Sequence, residues 1–138
     1  MDKVKTPYFI SIDDDRIDNM ICLKIIQHVL PEADVQTFTN PETGFEYIKS
    51  ESVNNNERKG IIFLDINMPT LSGWELLDKC NNFPESAKKQ IKIFMLSSSV
   101  SHKDKQMAEN NSLVQGFIQK PLTTKRLQDI LKEVEEYI

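Results

Sequence analysis

Short apolar segments alternate along the chain with longer segments in which apolar residues recur every three or four positions. A short apolar segment between polar residues is typical of a buried strand, and the longer recurrence is typical of a helix with one buried face. The pattern predicts strands at residues 8–12, 34–39, 61–64, 91–96 and 114–119. Because a helical segment follows each strand, we expect a parallel sheet with helices on both faces.

Five helices are predicted from separate signals. Proline marks two of their boundaries, because it cannot continue a helix but is favoured at the first helical position. In chain order, the signals are Ile17, Ile21, Ile25 and Val29 at every fourth position before Pro31; Pro41 followed by Phe45 and Ile48; "GWELLDKC" at 73–80; a polar segment at about 102–110; and an amphipathic stripe of Leu127, Ile130, Leu131, Val134 and Ile138. The polar segments 50–60 and 81–90 are predicted to be loops.

The third strand, "IIFL" at 61–64, contains no polar residue, which indicates that both of its faces are covered. It leads directly into Asp65, and Asn67, Pro69 and Gly73 follow within eight positions. An aspartate after an apolar strand often does no more than stop the strand or cap a helix. The residues that end the other strands decide between this interpretation and a functional one.

Carboxylates, serine hydroxyls or a lysine follow four of the five predicted strands, whereas the second strand ends in the unremarkable Thr39 and Asn40. In a parallel sheet with helices on both faces, the carboxyl ends of the strands share one edge, and ligands bind there. The residues at these ends are Asp13, Asp14 and Asp15 after the first strand, Asp65 after the third, Ser97, Ser98 and Ser99 after the fourth, and Lys120 with Pro121 after the fifth.

This combination of side chains favours phosphoryl chemistry. Clustered carboxylates repel one another unless a cation compensates them, and Mg²⁺ is typically bound by one or two carboxylates together with waters and phosphate. A lysine ammonium suits a phosphate group, and a serine hydroxyl can donate a hydrogen bond to it. A carboxylate can also act as the nucleophile and form an acyl phosphate. Catalysis of phosphoryl transfer consists mostly of positioning and charge neutralisation.

Length and charge narrow the class of protein. A chain of 138 residues is expected to form one domain. The net charge of −4 and the lack of an arm rich in lysine and arginine argue against direct DNA binding. The sequence contains neither a signal peptide nor an apolar run long enough for membrane insertion. Cys22 and Cys80 show no metal-binding spacing, so we expect reduced, buried thiols and a cytoplasmic location.

Four motifs, "FISIDDD", "IIFLDINMPTLSG", "IFMLSSS" and "GFIQKP", occur in the order and spacing found in the receiver domains of two-component response regulators. The chain resembles this family from about Tyr8 to the last helix. The resemblance implies an α/β, flavodoxin-like, doubly wound fold with five parallel strands in the order 2-1-3-4-5 and five helices. It also implies a single receiver domain over residues 1–138, with a core at about 8–137 and no output domain.

The resemblance assigns a role to most of the polar residues at the strand ends, although not to Asp15, which we expect to be a solvated residue near the start of the first helix. Asp65 matches the phosphoacceptor aspartate. Mg²⁺ would be bound by Asp14, by Asp65, by the backbone carbonyl of Asn67 and, through water, by Asp13. The other matches are Ser97 with the switch hydroxyl, Ser98 with the small residue beside the phosphoryl group, Lys120 with the lysine that pairs with the aspartate and then with the phosphoryl group, Pro121 with the proline of a cis peptide bond, and Phe117 with the aromatic switch position.

The implied function is that of a stand-alone response regulator. A sensor histidine kinase or a phosphorelay partner would transfer a phosphoryl group to Asp65 with Mg²⁺, and the acyl phosphate would draw Ser97 and Phe117 inward. The surface formed by 102–110, 114–119 and the last helix would then change its preference for a downstream target protein. Such a protein promotes only its own phosphorylation and dephosphorylation, so we expect a signalling phosphoacceptor and not an enzyme. Dimerisation as a homodimer through the last helix is left open.

Some features depart from the commonest pattern of the family. Ser72 stands where many relatives have aspartate, and Phe117 lacks the hydroxyl of the tyrosine found in others. The segments 50–60 and 81–90 are longer than in minimal receivers. They are expected either to form a surface for a partner or to be tolerated insertions. Trp74 is expected to pack against the core or the rim of the pocket.

Three alternatives belong to other functional classes. A receiver-like scaffold that is never phosphorylated usually lacks part of the acidic pocket, whereas this chain has all of it. An aspartyl phosphatase of the haloacid dehalogenase type needs a second acid two residues after its nucleophile, and here that residue is Asn67. A flavodoxin-type cofactor binder needs a glycine-rich phosphate loop, and the chain has only four glycines.

Overall fold

The strands form one parallel sheet in the computed structural model, which describes residues 7–55 and 58–135. The strands are β1 (Tyr8–Ile12), β2 (Asp34–Phe38), β3 (Gly60–Asp65), β4 (Ile91–Ser97) and β5 (Val114–Gln119). Their order is β2-β1-β3-β4-β5, and every neighbouring pair is parallel. The predicted flavodoxin-like topology is therefore confirmed. All residues of β1 and β3 are buried, which explains why their sequences show no alternation of polar and apolar residues.

Helices cover both faces of this sheet. Their bounds are α1 (Arg16–Val29), α2 (Pro41–Lys49), α3 (Gly73–Cys80), α4 (Glu85–Lys88), α5 (His102–Glu109) and α6 (Thr124–Glu135). Buried side chains of α2, α3 and α4 pack on one face of the sheet, and those of α1 and α6 pack on the other. The helix α5 contributes no buried residue and contacts β5 at the edge of the sheet. Ile138, which was predicted to extend the stripe of α6, lies outside the described residues.

The buried face of α1 differs from the face that the sequence pattern predicted. Ile17 is 66% exposed and Ile21 is 36% exposed, whereas the buried residues are Asn19, Cys22 and Ile26. A strict spacing of four residues advances about 40° per step around a helix of 3.6 residues per turn. Isoleucines at every fourth position therefore do not all lie on the same face of the helix, and Ile17 and Ile21 are exposed to solvent.

Both segments predicted to be loops contain short helical structure, so this prediction was wrong for parts of each. A π-helical segment, Ser50–Asn55, continues directly from α2, and the hydroxyl of its buried Ser52 donates a 2.6 Å hydrogen bond to the carbonyl oxygen of Ile48. The one-turn helix α4 lies within 81–90 and buries Ala87. Single buried residues in polar surroundings give no periodic signal, so the pattern could not show either segment.

An ion cluster lies at the amino end of the sheet, opposite the strand ends that carry the predicted site. Arg58 reaches Asp34 with one terminal nitrogen at 2.9 Å and Glu51 with the other at 3.0 Å. Its guanidinium carbon also lies 5.1 Å from the centroid of the Tyr8 ring. The planar guanidinium suits such a forked contact with stacking, and it joins the start of β2 to the π-helical segment.

Candidate functional site

A lysine and two buried carboxylates meet at the carboxyl edge of the sheet. The Nζ atom of Lys120 lies 2.8 Å from Oδ2 of Asp13 and 3.2 Å from Oδ1 of Asp65. Only 3% of Asp13 and 5% of Asp65 is exposed. Asp13 follows β1, Asp65 ends β3, and Lys120 follows β5. The strand order thus brings together three residues that are far apart in the sequence.

A buried hydrogen-bond network holds Asp13 in place. The side-chain amide of Asn19 donates to the carbonyl oxygens of Asp13 and Phe38, at 2.9 and 3.0 Å. Its oxygen accepts a 2.7 Å hydrogen bond from the hydroxyl of Ser11. Because a buried amide is stable only when its hydrogen bonds are made, Asn19 fastens α1 to the ends of β1 and β2. This role was not predictable from the sequence, since an isolated asparagine in a helix gives no signal of it.

The backbone around Asp65 requires a glycine at the start of α3. The N–H of Gly73 donates a 3.0 Å hydrogen bond to the carbonyl oxygen of Ile66. A Cβ atom at position 73 would overlap the carbonyl oxygen of Asp65. Glycine therefore permits the close approach of α3 to the strand end. The N–H of Asn67 completes the turn with a 3.3 Å hydrogen bond to Oδ1 of Asp65.

The acidic residues at this edge form a set suited to a hard cation. Asp13, Asp14 and Asp65 each offer a carboxylate oxygen, and these oxygens all lie within 4.8 Å of one another. Asp14 is exposed, while the other two are buried. Carboxylate oxygens are the ligands that Mg²⁺ prefers. The donor set therefore fits the magnesium ion that the resemblance implies.

The site holds more negative than positive charge. Burial, followed by the charge of Asp13, raises the pKa of Asp65 to about 6, although Lys120 acts in the opposite direction. Burial alone would lower the pKa of Lys120, but hydrogen bonds to Asp13 and Asp18 outweigh it and raise this pKa above its usual value. The lysine is thus firmly charged, and one cation does not compensate all of the acids around it.

The serines after β4 differ in their positions. The hydroxyl of buried Ser97 donates to the carbonyl oxygen of Ser99 at 2.6 Å and accepts from the N–H of Ser99 at 3.1 Å. This hydroxyl is therefore engaged with the loop backbone. Ser98 is exposed at the same edge, as is Asn67 after β3. The structure thus brings all three residues to the predicted edge but directs the Ser97 hydroxyl into its own loop.

The peptide bond between Lys120 and Pro121 is cis, as the resemblance implied. The N–H of Lys120 donates a 2.9 Å hydrogen bond to the carbonyl oxygen of Ser97. This bond joins the end of β4 to the loop after β5, from which the lysine side chain extends to the carboxylates.

An aromatic pair links α3 to β5. Phe117 is half-buried, and its ring lies edge-on to that of Trp74 with centroids 6.4 Å apart. The indole N–H of Trp74 donates a 3.1 Å hydrogen bond to Oδ1 of Asp104 in α5. Trp74 also packs against the core, which is one of the two positions expected for it. Asp104 is a partner that the sequence did not indicate.

A further carboxylate, Asp18 in the first turn of α1, contacts the site. Its Oδ2 atom lies 3.0 Å from Nζ of Lys120. Asp18 was not among the predicted site residues. A signal was available, because an acid in the first turn of a helix that begins at the carboxyl edge lies beside the loops of that edge.

Comparison with known families identifies the class of this domain. The family model for the response regulator receiver domain matches residues 9–132. The chain belongs to the response regulator receiver domain family. Receiver domains are signalling phosphoacceptors that interact with histidine kinases or phosphotransfer proteins and with downstream targets, and they typically bind Mg²⁺ at an acidic pocket. This membership sets aside the phosphatase and flavodoxin alternatives.

Solved structures of other receivers resemble this one closely. A two-component response regulator from Cytophaga hutchinsonii is 30% identical, with a TM-score of 0.84 over 96% of this chain and 98% of that chain. A response regulator receiver protein from Dyadobacter fermentans is 26% identical, with a TM-score of 0.81 over 93% and 97% of the two chains. The chemotaxis protein CheY4 of Vibrio cholerae shares the fold, at 21% identity and a TM-score of 0.74 over 94% and 99%.

No match was found among proteins with curated descriptions. Within residues 7–55 and 58–135 of this receiver, no helix has the length and apolar character needed to span a bilayer.

Proposed function

We propose that this receiver accepts a phosphoryl group on Asp65 from a histidine kinase or a phosphotransfer partner, with Mg²⁺, and that the acyl phosphate alters its contacts with a downstream protein. The observation that carries the proposal is the position of the Asp65 carboxylate, 3.2 Å from the Lys120 ammonium and beside two further acids. A nucleophilic carboxylate, a cation for the phosphoryl oxygens and a metal-binding set are the parts that this chemistry requires.

In the proposed step, a carboxylate oxygen of Asp65 forms a bond to phosphorus as the bond from phosphorus to the donor imidazole breaks. The electron pair of the broken bond remains on the imidazole nitrogen. Lys120 neutralises charge on the phosphoryl oxygens, and Ser97 donates a hydrogen bond to one of them after its hydroxyl leaves Ser99. Exposed Ser98 leaves space for the group beside the strand end.

Four groups of this chain would hold Mg²⁺: the carboxylates of Asp14 and Asp65, the backbone carbonyl of Asn67, and Asp13 through water. The bound ion would supply charge neutralisation for the phosphoryl oxygens. The proposal is supported by the spacing of the three carboxylates and by the raised pKa of Asp65, which indicates that an added cation would be favourable there.

The phosphodonor is proposed to be a protein that contacts the start of α1. Ile17, Met20 and Ile21 are large apolar residues that are 66%, 52% and 36% exposed. They follow Asp14 within two turns of helix, so they lie at the entrance of the acidic site. Exposed apolar groups of this kind are typical of protein contact surfaces, and a donor protein seated on them would bring its reactive group to Asp65.

The output is proposed to use the side of the domain formed by α5, β5 and α6. Phe117 in β5 contacts Trp74, which holds the first turn of α5 through Asp104. Inward movement of Ser97 and Phe117 on acylation would disturb this junction and shift the population of α5 positions. Because no residue of α5 is buried, the helix can move without opening the core.

The proposal is tested by intact mass spectrometry after incubation with acetyl phosphate and Mg²⁺. We expect the wild-type protein to gain the mass of one phosphoryl group, and Asp65→Asn to gain none. Asp15→Asn is the matched control, because it changes another aspartate at the same edge and asparagine caps a helix as well as aspartate does. The control is expected to react like the wild type.

The unphosphorylated scaffold is the competing function. It predicts no adduct in any of the three proteins, both with and without Mg²⁺. An adduct that persists in Asp65→Asn would contradict the choice of acceptor.

A further inference from the structure

Three helices of the described part of this domain carry an acid three residues after the capping residue. Two of these acids complete a capping box. In α3 the N–H of Ser72 donates to the Glu75 carboxylate at 3.0 Å, and the Ser72 hydroxyl accepts from the N–H of Glu75 at 3.1 Å. In α5 the same reciprocal pair joins Ser101 and Asp104, at 3.1 and 3.0 Å. An acid at this position thus ordinarily satisfies the backbone N–H of the capping residue.

Asp18 occupies the same position in α1 but does not serve the cap. The N–H of the capping residue, Asp15, donates instead to Oδ1 of Asp13 at 2.9 Å. The Asp18 carboxylate is therefore released from the helix terminus, and its Oδ2 atom accepts a 3.0 Å hydrogen bond from Lys120.

The ammonium of Lys120 is saturated by this arrangement. A lysine ammonium has three N–H donors and no acceptor. Nζ of Lys120 faces three carboxylates, with Asp13 at 2.8 Å, Asp18 at 3.0 Å and Asp65 at 3.2 Å. Every donor of the lysine is thus committed before any phosphoryl group arrives.

A phosphoryl group on Asp65 would need a donor from this lysine and would have to take it from an existing partner. The donor that faces Asp65 passes to the phosphoryl group, because the acylated carboxylate no longer carries a charge, and a second donor has to come from Asp13 or Asp18. The side chain of Asp13 is 5% exposed, so breaking its bond would leave a buried charge unpaired. The side chain of Asp18 is 32% exposed, and water can replace the lysine there. Asp18 is therefore the partner that Lys120 can release most readily.

We infer that Asp18 is a positioning residue that competes with the phosphoryl group for Lys120 and thereby slows acylation of Asp65. This inference rests on the proposed phosphoacceptor function and adds a regulating residue to it. In the reaction with acetyl phosphate, an Asp65 oxygen bonds to phosphorus, and the bond from phosphorus to the acetate oxygen breaks. Acetate leaves with the electron pair. Freeing Lys120 assists this step because the ammonium can follow the charge on the transferring group.

The experiment measures acylation by intact mass over a range of acetyl phosphate concentrations at saturating Mg²⁺, for wild type, Asp18→Asn and Glu75→Gln. Asparagine keeps the shape of Asp18 and removes its charge. Glu75→Gln is the matched control, because it removes one negative charge from the third position of another helix that begins near Asp65. Thermal melts of all three proteins establish that each one folds.

We expect Asp18→Asn to raise the maximal acylation rate about two- to fivefold, the range expected for loss of one partly exposed ion pair. The gain is expected in the maximal rate and not in the half-saturating concentration of acetyl phosphate, at both low and high ionic strength. Glu75→Gln is expected to match the wild type. Nitrogen-resolved NMR of the lysine ammonium groups provides a second readout without phosphodonor: the Lys120 ammonium protons should exchange with water faster in Asp18→Asn.

Three results would overturn the inference. One is an unchanged or lower maximal rate in Asp18→Asn while the wild type is acylated, which leaves the proposed function intact. Another is a gain confined to the half-saturating concentration, screened by salt and shared by Glu75→Gln, since this indicates general repulsion of an anionic donor. The third is a wild-type protein that takes up no phosphoryl group, which removes the proposed function and this inference together.

Discussion

The two ends of the sheet each hold one cation between carboxylates, and the two clusters differ in net charge and in burial. At the amino end, Arg58 pairs with two acids whose side chains are 38% and 17% exposed. At the carboxyl end, Lys120 pairs with three acids, two of which are only 5% exposed, and Asp14 lies beside them. The first cluster has one more acid than cations and is in partial contact with water, whereas the second has three more acids than cations and buries two of its acids.

This difference distinguishes a structural ion cluster from the cluster at which we propose that the domain reacts. Burial by itself lowers the pKa of Arg58, but hydrogen bonds to Asp34 and Glu51 outweigh it and raise this pKa. At the other end, burial raises the pKa of Asp65 to about 6, so ionisation costs more in the folded domain than in the unfolded chain. A perturbed carboxyl in a cluster with too little positive charge marks a site where a cation or a transferring group is favourable. The domain thus gives up some stability at the edge where we propose that it reacts.

The largest effect on stability is expected when Lys120, which contacts three acids of the site, is replaced. Lys120→Met keeps the length of the side chain but leaves Asp13 and Asp65 buried without their cation. We expect a loss of about 3 kcal/mol in the free energy of unfolding at pH 7, because breaking a buried ion pair leaves an uncompensated charge. The loss is expected to be smaller at pH 5, where Asp65 is protonated. Urea denaturation at the two pH values measures both, and equal losses would contradict the described imbalance.

A smaller change, in this case an increase in the free energy of unfolding, is expected for Asp65→Asn without metal. The folded pKa of about 6 lies above the unfolded value of 3.8, so the folded state of the wild type binds the extra proton. Stability of the wild type relative to the variant is therefore expected to fall as the pH rises through this interval. At pH 8 the variant should be more stable by about 1–2 kcal/mol, reduced from the full shift to allow for solvent screening. Urea denaturation across pH 4–8 tests the sign, and a less stable variant at pH 8 would contradict it.

The smallest change in stability is expected for a substitution at the amino end of the sheet. Arg58→Met removes two partly exposed ion pairs and the stacking on Tyr8 and should lower stability by about 1 kcal/mol. Because the cluster is at the opposite end of the sheet, added Mg²⁺ should stabilise this variant and the wild type equally. Thermal melts with and without Mg²⁺ measure this, and a changed response to the metal would show that the two ends are coupled.

Features that depend on neighbouring residues were predictable from the sequence. The strand at 114–119 and the helix at 73–80 have the predicted bounds, because apolar runs and capping residues act locally. The set Asp13, Asp65 and Lys120 was predictable as well, because parallel topology alone brings strand ends to one edge.

Features that depend on side chains meeting across the fold were not predictable. The first-turn position of Asp18 indicates that it lies near the carboxyl edge, but Lys120 is 102 positions away and the sequence does not show the bond between the two residues. Trp74 and Asp104 are likewise 30 positions apart, and their hydrogen bond joins two helices. The buried face of α1 was missed because Asn19 is polar and is stabilised only by hydrogen bonds that the folded chain provides.

The position of Trp74 gives this receiver an intrinsic optical probe. It is the one tryptophan of the chain, its ring contacts Phe117, and its N–H is bonded to Asp104. Indole emission responds to the polarity and hydrogen bonding of its surroundings, so the fluorescence of the unlabelled protein reports on the junction between α3, β5 and α5. Stopped-flow mixing with candidate partners could therefore resolve rates at this junction without any added dye.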